Sequence, residues 1–490
     1  MDRSLSFLLA DVAVISKVGT SDPTVTDVVF DSRKVTPGTL FVATKGTATD
    51  GHIYIDKAVE LGALVVVCEQ MPDVRNPQVT YVQVPDSSEA LGRLASAFYG
   101  NPSRYLKVVG VTGTNGKTTI ATLLYRIMGL LGYKAGLFST VSNYIVDQKI
   151  ESTHTTPDAV AINKLMARMV DAGCDYCFME VSSHSVDQKR IAGLTFAGGI
   201  FTNLTHDHLD YHKTFDAYLK AKKSFFDNLP QGAFALTNLD DKHGRVMLQN
   251  TKAGKHTFST REMADFRIRI IESMFDGMQL DVGGKELYTP FVGHFNASNL
   301  LAVYGAAVLL GHPSDEALVA LSKLYPVDGR FETLRSSRGI TAVVDYAHTP
   351  DALKNVIETI NEIRQPGQQL ITVVGAGGDR DRTKRPVMAR EAVKGSNKVI
   401  LTSDNPRSEE PDEIIAQMLE GVESKDRVHV LSIVNRHEAI RTACMLANQG
   451  DIVLVAGKGH ETYQEIKGIK HHFDDREEIR RIFDEQTNLN

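Results

Sequence analysis

The sequence contains little cysteine, no tryptophan, no long apolar run and no surplus of basic residues. Four cysteines in 490 residues are too few to staple a chain of this length with disulfides. No segment approaches the roughly 18 to 20 consecutive apolar residues that a membrane-spanning helix requires. The 54 Lys and Arg against 60 Asp and Glu argue against a dedicated nucleic-acid binder. These absences predict a cytoplasmic protein that binds neither a membrane nor nucleic acid.

Two cysteines, Cys174 and Cys177, form a CxxC pair. No second pair stands at the spacing of a structural zinc site, so we expect reduced thiols buried beside a strand. The apolar N-terminal run contains Asp11 and has no clear small-residue cleavage site, which favours a folded segment over a signal peptide.

The composition and length predict several globular domains. Hydrophobic residues make up 42% and charged residues 23% of the chain, the proportions of a globular protein with hydrophobic cores. At roughly 100 to 200 residues per domain, the length predicts about three domains. Two segments rich in Gly and Pro, 100–103 and 325–339, interrupt the pattern. We therefore predict domains at 1–103, 104–335 and 336–490.

Apolar runs of strand length alternate with helical patterns through most of the chain, which indicates an α/β fold. In the last predicted domain, five short apolar runs separated by helical patterns predict a parallel sheet. Residues 256–292 differ, because short alternating strands and repeated glycines predict a small β insertion or a sheet edge there. A helix is predicted from Asn296 to Leu310.

The most informative stretch is a buried strand at 106–111, followed by the loop GTNGKTT and then directly by a helix. Glycines let backbone N–H groups point at an anion, and a helix N-terminus adds roughly half a positive charge. Lys117 is expected to reach the β- and γ-phosphates, and the Thr118 hydroxyl to bind Mg²⁺. The strict pattern requires glycine where this chain has Val111, so the loop is a variant. The predicted phosphate-binding residues are Gly113, Thr114, Asn115, Gly116, Lys117, Thr118 and Thr119.

Phosphate binding alone does not separate a switch GTPase from a transferase, a ligase or a pump. The chain has no N-K-x-D sequence, which disfavours the GTPase. Glu180 ends a predicted strand, where a second Mg²⁺ ligand is needed beside a phosphate loop. The segment TNLTHDHLDYH at 202–212 fits either a zinc hydrolase loop, whose spacing fails by one residue, or an imidazole near Mg²⁺ or phosphate. We favour the second reading because a zinc hydrolase does not explain GTNGKTT.

These motifs, together with GRFE at 329–332 and DYAHTPD at 345–351, resemble the Mur ligases, the ATP-dependent amide-bond ligases of peptidoglycan precursor synthesis. The resemblance extends from about residue 25 to 465. DSRKVTPGTLFVATKG at 31–46, SDNPRSEEP at 403–411 and GKGHETYQ at 457–464 narrow it to the diaminopimelate-adding members. It implies a uridine-nucleotide domain, a central P-loop ATPase domain with a parallel sheet, and a C-terminal Rossmann-like domain that admits the amino acid.

The resemblance also implies roles for residues that local pattern alone leaves as solvated or structural. Thr118 and Glu180 would hold one Mg²⁺, and His208 a second. Composition alone predicts that Lys222, like its neighbour Lys223, is a solvated lysine. The resemblance implies instead that Lys222 is carbamylated and supports the second Mg²⁺. Lys117, Glu180, His208 and Lys222 are therefore the expected catalytic residues. The remaining implied ATP contacts are Asn296, Arg330 and Asp345.

The implied substrates are ATP, UDP-MurNAc-L-Ala-D-Glu and meso-diaminopimelate. We expect the protein to be a monomer. The implied contacts of the UDP-substrate are Phe30, Ser32, Thr47, Ala48, Thr49, Thr155, Thr156, Ser182, Gln188 and Arg190. The implied contacts of diaminopimelate are Arg380, Asp404, Asn405, Pro406, Arg407, Gly457 and Glu461. Physical chemistry supports the second set, because arginines offer bidentate hydrogen bonds to the distal carboxylate that lysine lacks.

Three alternatives remain open at this point. The first is a related ligase that adds L-lysine, or one that adds a dipeptide or adds glutamate to a folate, although DNPR and the DSR segment speak against the last two. A P-loop regulatory module predicts slow hydrolysis that is independent of an amino acid. A zinc hydrolase would show bound metal in the purified protein.

Overall fold

The computed structural model describes residues 2–19, 22–46, 49–151, 155–205 and 209–488. Within these residues the chain forms three separate main sheets in sequence order, each with helices packed against it. This is the α/β architecture that the alternating pattern predicts. No helix in the described part is long and apolar enough to cross a membrane.

The first sheet has five strands and is parallel except at one edge. Its strands, in spatial order, are Ser16–Val18, Thr80–Gln83, Val65–Cys68, Thr39–Val42 and Asp27–Val29. Strands Arg3–Ser4 and Thr24–Val25 pair separately beside it. The three central strands are almost fully buried, as parallel strands covered on both faces require.

The central sheet has eleven strands. In spatial order they are Gln148–Ile150, Asn143–Ile145, Ala135–Phe138, Tyr176–Glu180, Lys107–Thr112, Gly198–Phe201, Phe234–Asn238, Gly254–Ser259, Phe266–Met274, Gly277–Val282 and Lys285–Thr289. The strands from 135–138 to 266–274 run parallel, and the two at each edge are antiparallel. The predicted β-rich segment 256–292 therefore forms one edge of this sheet, which confirms the edge reading.

The third sheet has six strands and is parallel except for its first pair. In spatial order they are Glu332–Arg335, Thr341–Asp345, Ile452–Ala456, Leu370–Val374, Lys398–Leu401 and Val430–Ser432. A hairpin of Tyr463–Ile466 and Ile469–His472 follows. The strand at 332–335 belongs to this sheet, although the range predicted for the central domain ends at 335. We therefore propose that the third domain begins before Glu332.

Helices cover both faces of the central sheet. Ile120 and Leu300 belong to the core on one face, and Met166 and Phe225 to the core on the other. The α-helices are Leu5–Leu8, Ile55–Glu60, Ser87–Phe98, Lys117–Leu130, Ala159–Asp171, Ser183–Asp187, Leu209–His212, Phe215–Asp227, Gly244–Met247, His294–Leu309, Ser314–Ser322, Pro350–Ile363, Lys384–Gly395, Pro411–Leu419, Arg436–Leu446 and Asp475–Asn488. Short 3₁₀ turns lie at Ser32–Lys34, Gly51–Tyr54, Pro102–Arg104 and Arg427–His429.

All four cysteines are buried and form no disulfide, as the sequence predicts. Burial raises the pKa of the Cys68 thiol to about 11 and that of Cys444 to about 12. Burial also raises the pKa of the Cys174 and Cys177 thiols. The thiolate is the reactive form of cysteine, so these four side chains are unreactive near neutral pH.

Candidate active site

A large cleft of about 930 Å³ lies at the carboxyl ends of parallel strands of the second and third sheets. Small-molecule sites in open α/β sheets are found at this end, where loops follow the strands. The predicted site residues that line it are Thr114, Asn115, Gly116, Lys117, Thr118, Thr119, Thr155, Thr156, Glu180, Ser182, Arg190, Asn296, Arg330, Asp345, Arg380, Asp404, Asn405, Arg407, Gly457 and Glu461.

The phosphate loop follows the central strand Lys107–Thr112 and leads directly into the helix Lys117–Leu130. Gly113 and Gly116 have φ values of 151° and 87°, and a Cβ at either position would meet a neighbouring side chain. The loop therefore requires glycine at both positions. The Lys117 ammonium donates to the carbonyl oxygens of Gly113 and Thr114 at 2.9 and 2.8 Å. Its charge is thus held within the curve of the loop.

Glu180 ends the strand beside the phosphate loop and is only 1% exposed. Its Oε1 accepts a hydrogen bond of 2.6 Å from the Thr140 N–H, whereas its Oε2 is buried and makes no hydrogen bond. A buried carboxylate oxygen without a donor fits a hard cation, because the cation offsets the cost of burying the charge. The Thr118 hydroxyl lines the same cleft, so this pair fits Mg²⁺.

Lys222 and Lys223 are adjacent on the helix Phe215–Asp227, but their environments differ. Lys222 is 1% exposed, and its ammonium donates to the Gly113 carbonyl at 2.7 Å and lies 4.7 Å from the centre of the Tyr218 ring. The Lys223 ammonium pairs instead with Asp227 at 2.6 Å. The buried lysine beneath the phosphate loop is therefore Lys222. His208, the other residue predicted here, lies outside the described residues.

Across the described residues, no cluster of three or more His, Cys, Asp or Glu side chains is arranged to hold a metal ion. The segment 206–208, on which a zinc hydrolase site would depend, lies outside them. The described residues therefore give no support to the zinc hydrolase interpretation.

The predicted nucleotide contacts lie on both sides of the cleft. Asn296, in the first turn of the helix His294–Leu309, donates to the Val292 carbonyl at 2.8 Å. The Arg330 guanidinium lies 4.5 Å from the centre of the Tyr346 ring, and its Nε is buried without a hydrogen bond. Asp345 accepts a 2.7 Å hydrogen bond from the Phe331 N–H. Burial raises the pKa of Asp345 to about 6, although the nearby Arg330 opposes the shift.

We expect the apparent affinity for ATP to depend on the ionisation of Asp345. Protonation below about pH 6 removes the negative charge that attracts the Arg330 guanidinium. Arg330 should then be held less firmly in the cleft, so kcat/KM for ATP should fall as the pH drops through that value. Asp345→Asn should raise the KM for ATP about tenfold at pH 8 and lose this titration. Steady-state rates from about pH 5 to 8 test both statements. An acid limb that is unchanged in the variant would assign the titration to another group.

A polar network extends from Glu180 toward the first sheet. The Thr156 hydroxyl donates to the Glu180 carbonyl at 2.8 Å, and Arg190 Nη1 donates to the Thr156 carbonyl at 2.8 Å. Arg190 also donates to Gln188 Oε1 at 2.7 Å, and Ser182 caps the short helix Ser183–Asp187. These predicted substrate contacts form one connected surface, although Gln188 itself does not line the cleft.

The predicted contacts in the first domain are separate from the cleft. Phe30 packs partly against the core of the first sheet, and Ser32 is buried in a 3₁₀ turn. Thr49 hydrogen-bonds to Gly46 in a loop. None of the three lines the cleft. Thr47 and Ala48 lie outside the described residues.

The end of the cleft in the third sheet carries charges of both signs. Arg407 has an unusual φ of +54°, and its Nη1 donates to the Gly378 carbonyl at 2.7 Å. Asp404 Oδ1 is buried without a hydrogen bond. A Cβ at Gly457 would lie 2.8 Å from Asp404 Oδ2, so only glycine fits there. Pro406 is buried beside this pocket, and Arg380 and Glu461 line it.

The structure also brings in residues that the sequence reasoning did not single out. Asn115 Nδ2 donates to Asp351 Oδ2 at 3.0 Å, which joins the phosphate loop to the third domain. The fully buried Arg385 forms two hydrogen bonds to Glu409 at 2.8 and 2.9 Å and a third to the Gly377 carbonyl. This ion pair, which lowers the pKa of Glu409 to about 2, fixes the loops that carry Arg380 and Arg407. Asp351 and Glu409 had one sequence signal, their place in the segments DYAHTPD and SDNPRSEEP.

Three family models match the chain. The model described as "Mur ligase family, catalytic domain" matches residues 24–99. The model described as "Mur ligase middle domain" matches residues 111–307, and "Mur ligase, glutamate ligase domain" matches residues 329–459. These ranges correspond to the three main sheets.

Curated proteins named UDP-N-acetylmuramoyl-L-alanyl-D-glutamate–2,6-diaminopimelate ligase are similar over nearly the whole chain. The protein of that name from Phocaeicola vulgatus is 60% identical over 98% of this chain and 99% of its own length. The one from Clostridium botulinum is 42% identical over 93% of this chain and 94% of its own length.

Solved structures of Mur ligases are also similar to this chain over nearly its whole length. A structure titled for the same ligase aligns with a TM-score of 0.70 and 34% identity over 99% of this chain and all of that one. A MurF ligase from Thermotoga maritima in complex with ADP shares the fold, with a TM-score of 0.61 and 19% identity over 94% of this chain and 98% of that one. Since the family models match most of the sequence and the relatives align over nearly all of it, the chain belongs to the Mur ligase family.

Proposed function

We propose that the chain catalyses the ATP-dependent addition of meso-diaminopimelate to the γ-carboxylate of D-Glu in UDP-MurNAc-L-Ala-D-Glu, a step of peptidoglycan precursor synthesis. The observation that carries this proposal is that one cleft joins a phosphate loop to a pocket of arginines and carboxylates. The relatives named for this ligase, which align over nearly the whole chain, support it.

The proposed reaction has two steps. ATP phosphorylates the γ-carboxylate of D-Glu, and the amine of the incoming amino acid then attacks the acyl phosphate and releases phosphate. Phosphoryl transfer requires mainly positioning and charge neutralisation. Lys117 supplies a cation within the loop, and the N-terminus of the helix Lys117–Leu130 directs its N–H groups at the phosphates. Asn296, Arg330 and Asp345 hold the rest of the nucleotide.

Thr118 and Glu180 are the proposed protein ligands of Mg²⁺, with His208 and a carbamylated Lys222 serving a second ion. The buried Glu180 Oε2 without a hydrogen-bond donor supports the first site. When bound, Mg²⁺ neutralises charge that develops on the transferred phosphoryl group. The burial of Lys222 beneath the loop supports its assignment over Lys223, because carbamylation turns the amine into an oxygen ligand.

The UDP-substrate is proposed to bind between the first two domains. Thr155, Thr156, Ser182 and Arg190 line the cleft beside Glu180, which suits the dipeptide end that is phosphorylated. Phe30, Ser32 and Thr49, with Thr47 and Ala48, belong to the first domain and are assigned to the uridine end.

We call the end of the cleft at the third sheet, lined by Arg380, Asp404, Asn405, Arg407, Gly457 and Glu461, the far pocket. Its charges suit an amino acid with a carboxylate and an ammonium group at its distal end. Arg380 and Arg407 are the proposed partners of that carboxylate, and Asp404 and Glu461 those of the ammonium. L-Lysine lacks the distal carboxylate, so both arginines would lose their proposed partner and Arg407 would keep only Glu465, which lies 3.5 Å from its Nε. A site built for a polar group discriminates strongly against a ligand that lacks it.

Arg407→Ala should therefore weaken the binding of diaminopimelate specifically. We expect the KM for meso-diaminopimelate to rise at least about thirtyfold and the KM for ATP to change less than about threefold. Steady-state phosphate release measures both constants. Arg407→Lys, which keeps the charge without the bidentate geometry, should recover only part of the loss. Equal effects on both KM values would contradict the pocket assignment.

The function is tested by substrate-dependent phosphate release from ATP. The purified chain is assayed with meso-diaminopimelate, L-lysine or ornithine, each with and without UDP-MurNAc-L-Ala-D-Glu. Release that requires both the UDP-substrate and meso-diaminopimelate supports the proposal. Preference for L-lysine would reassign the amino acid, and hydrolysis independent of any amino acid would favour a regulatory P-loop module.

A further inference from the structure

One fully buried lysine stands directly behind the far pocket. Lys458 follows Gly457 at the end of the strand Ile452–Ala456, and its side chain is 0% exposed. It does not line the cleft, whereas Asp404, Asn405 and Glu461 do. Burying an ammonium group is costly unless anions and acceptors surround it, so its surroundings must compensate.

The Lys458 ammonium holds three cleft-lining side chains together. It donates to Asn405 Oδ1 at 3.2 Å and to Glu461 Oε2 at 3.3 Å, and it lies 3.7 Å from Asp404 Oδ1. Asn405 Nδ2 donates to the same Glu461 oxygen at 2.8 Å, which closes a triangle of hydrogen bonds. The triangle connects the loop after the strand Lys398–Leu401 to the loop after Ile452–Ala456.

The charges of this cluster do not cancel. Asp404 and Glu461 carry two negative charges when both are ionised, and Lys458 supplies one positive charge. One negative charge is left over, and it faces the cleft rather than another cation of the cluster. Asp404 Oδ1 is also buried without a hydrogen bond, although it lies near Lys458. An additional donor with one positive charge would complete the cluster.

We infer that Lys458 is a positioning residue that holds Asp404, Asn405 and Glu461 together in a cluster with one negative charge left over, which the distal ammonium of the amino acid neutralises. This inference rests on the proposed function and adds Lys458 to the residues that determine which amino acid binds. Lys458 acts through Asp404, Asn405 and Glu461 and does not touch the substrate.

The electrostatic consequence is specific to Glu461. Burial and the neighbouring Asp404 raise the pKa of Glu461, and the Lys458 ammonium opposes that rise. Removing the ammonium should therefore raise the pKa of Glu461 further, so that it binds a proton at higher pH. The other titratable or charged groups that face this cluster are Tyr346, Arg407, Arg436, Tyr463 and Glu465.

The test is the pH dependence of phosphate release by the full-length chain, with meso-diaminopimelate varied at saturating ATP and UDP-MurNAc-L-Ala-D-Glu. For Lys458→Met, we expect the KM for diaminopimelate to rise roughly ten- to a hundredfold, with kcat and the KM for ATP changed less than about threefold. The acid limb of kcat/KM for diaminopimelate should move to higher pH by about one unit. Lys458→Arg should return the acid limb toward that of the unchanged chain, because the positive charge is kept.

The matched control is Lys470→Met. Lys458 and Lys470 lie 5.5 and 4.2 Å from the centre of the Tyr463 ring, but Lys470 is exposed, so its removal should leave both KM and the acid limb unchanged. If Lys458→Met does not fold, Lys458→Arg decides: a raised KM with an unmoved acid limb supports the inference, and a shifted limb overturns it.

The outcomes separate this inference from the proposed function. Suppose that the chain without substitution releases phosphate with diaminopimelate and that Lys458→Met has the same KM and acid limb. This result overturns the inference and leaves the proposed function intact. An equal rise in the KM for ATP also overturns it, because a general structural loss would then explain the effect. If the chain without substitution shows no phosphate release that depends on diaminopimelate, both the inference and the proposed function are overturned.

Discussion

Lys117→Ala is expected to lower kcat about a thousandfold or more, with little change in the binding of diaminopimelate. The ammonium lies within the phosphate loop, 2.9 Å from the Gly113 carbonyl oxygen and 2.8 Å from that of Thr114. Lys222 contacts the same Gly113 oxygen, but Lys117 lines the cleft and Lys222 does not. Negative charge moves onto the oxygen between the β- and γ-phosphates as that bond breaks, so a cation held at this point stabilises the transition state more than the bound nucleotide. Phosphate release under saturating substrates measures the effect.

The control for this prediction is Lys107→Ala. Lys107 begins the same strand that leads into the loop, but it is exposed at the opposite end of the sheet and lies 5.3 Å from the centre of the Tyr176 ring. Its removal changes the net charge by the same amount and should leave kcat within about twofold, because the distant charge is screened by solvent. A Lys117→Ala variant that keeps more than about a tenth of the kcat would contradict the role of the loop.

Lys222→Ala is expected to reduce the rate about a thousandfold, and added bicarbonate should not restore it. Carbamylation joins CO₂ to the uncharged amine with loss of a proton, and burial favours the uncharged form of a lysine amine. Lys222 is buried and contacts the Gly113 carbonyl. With ¹³C-labelled bicarbonate, the unchanged chain should show a carbamate resonance that the variant lacks.

Lys223→Ala is the matched control, one position along the same helix. Its ammonium contacts both carboxylate oxygens of Asp227, at 2.6 and 2.8 Å, and does not approach the loop. We expect a nearly unchanged rate and an intact carbamate resonance, since a pair of this kind contributes about 0.3–0.5 kcal/mol on a helix surface. The reverse ranking of the two variants would move the carbamate to Lys223.

The phosphate loop was predictable from sequence because its requirements are local. Gly113 and Gly116 provide backbone conformations that other residues rarely adopt, and the strand before them and the helix after them are continuous with the loop. The alternation of strands and helices likewise predicted the α/β architecture and the β-rich edge of the central sheet. Each of these features depends on residues that are close together in the sequence, within about one helix or strand of each other.

Features that depend on tertiary packing were not predictable in the same way. Composition left Lys222 and Lys223 equivalent, and only the orientation of their helix makes one buried and the other paired with Asp227. The hydrogen bond between Asn115 and Asp351 joins residues of different domains. The burial of Lys458 similarly depends on how two loops of the third sheet meet, which the sequence GKGHETYQ does not show.

The unreactive cysteines make the chain suited to fluorescence measurements of cleft closure. A cysteine introduced at an exposed position would be the only thiol that a maleimide dye labels readily. Val74, beside the first sheet, and Val428, beside the third, are 85% and 82% exposed, so both accept a dye without loss of core packing. Energy transfer between two such dyes would report the distance across the molecule as each substrate is added, without removal of any native residue from the interior.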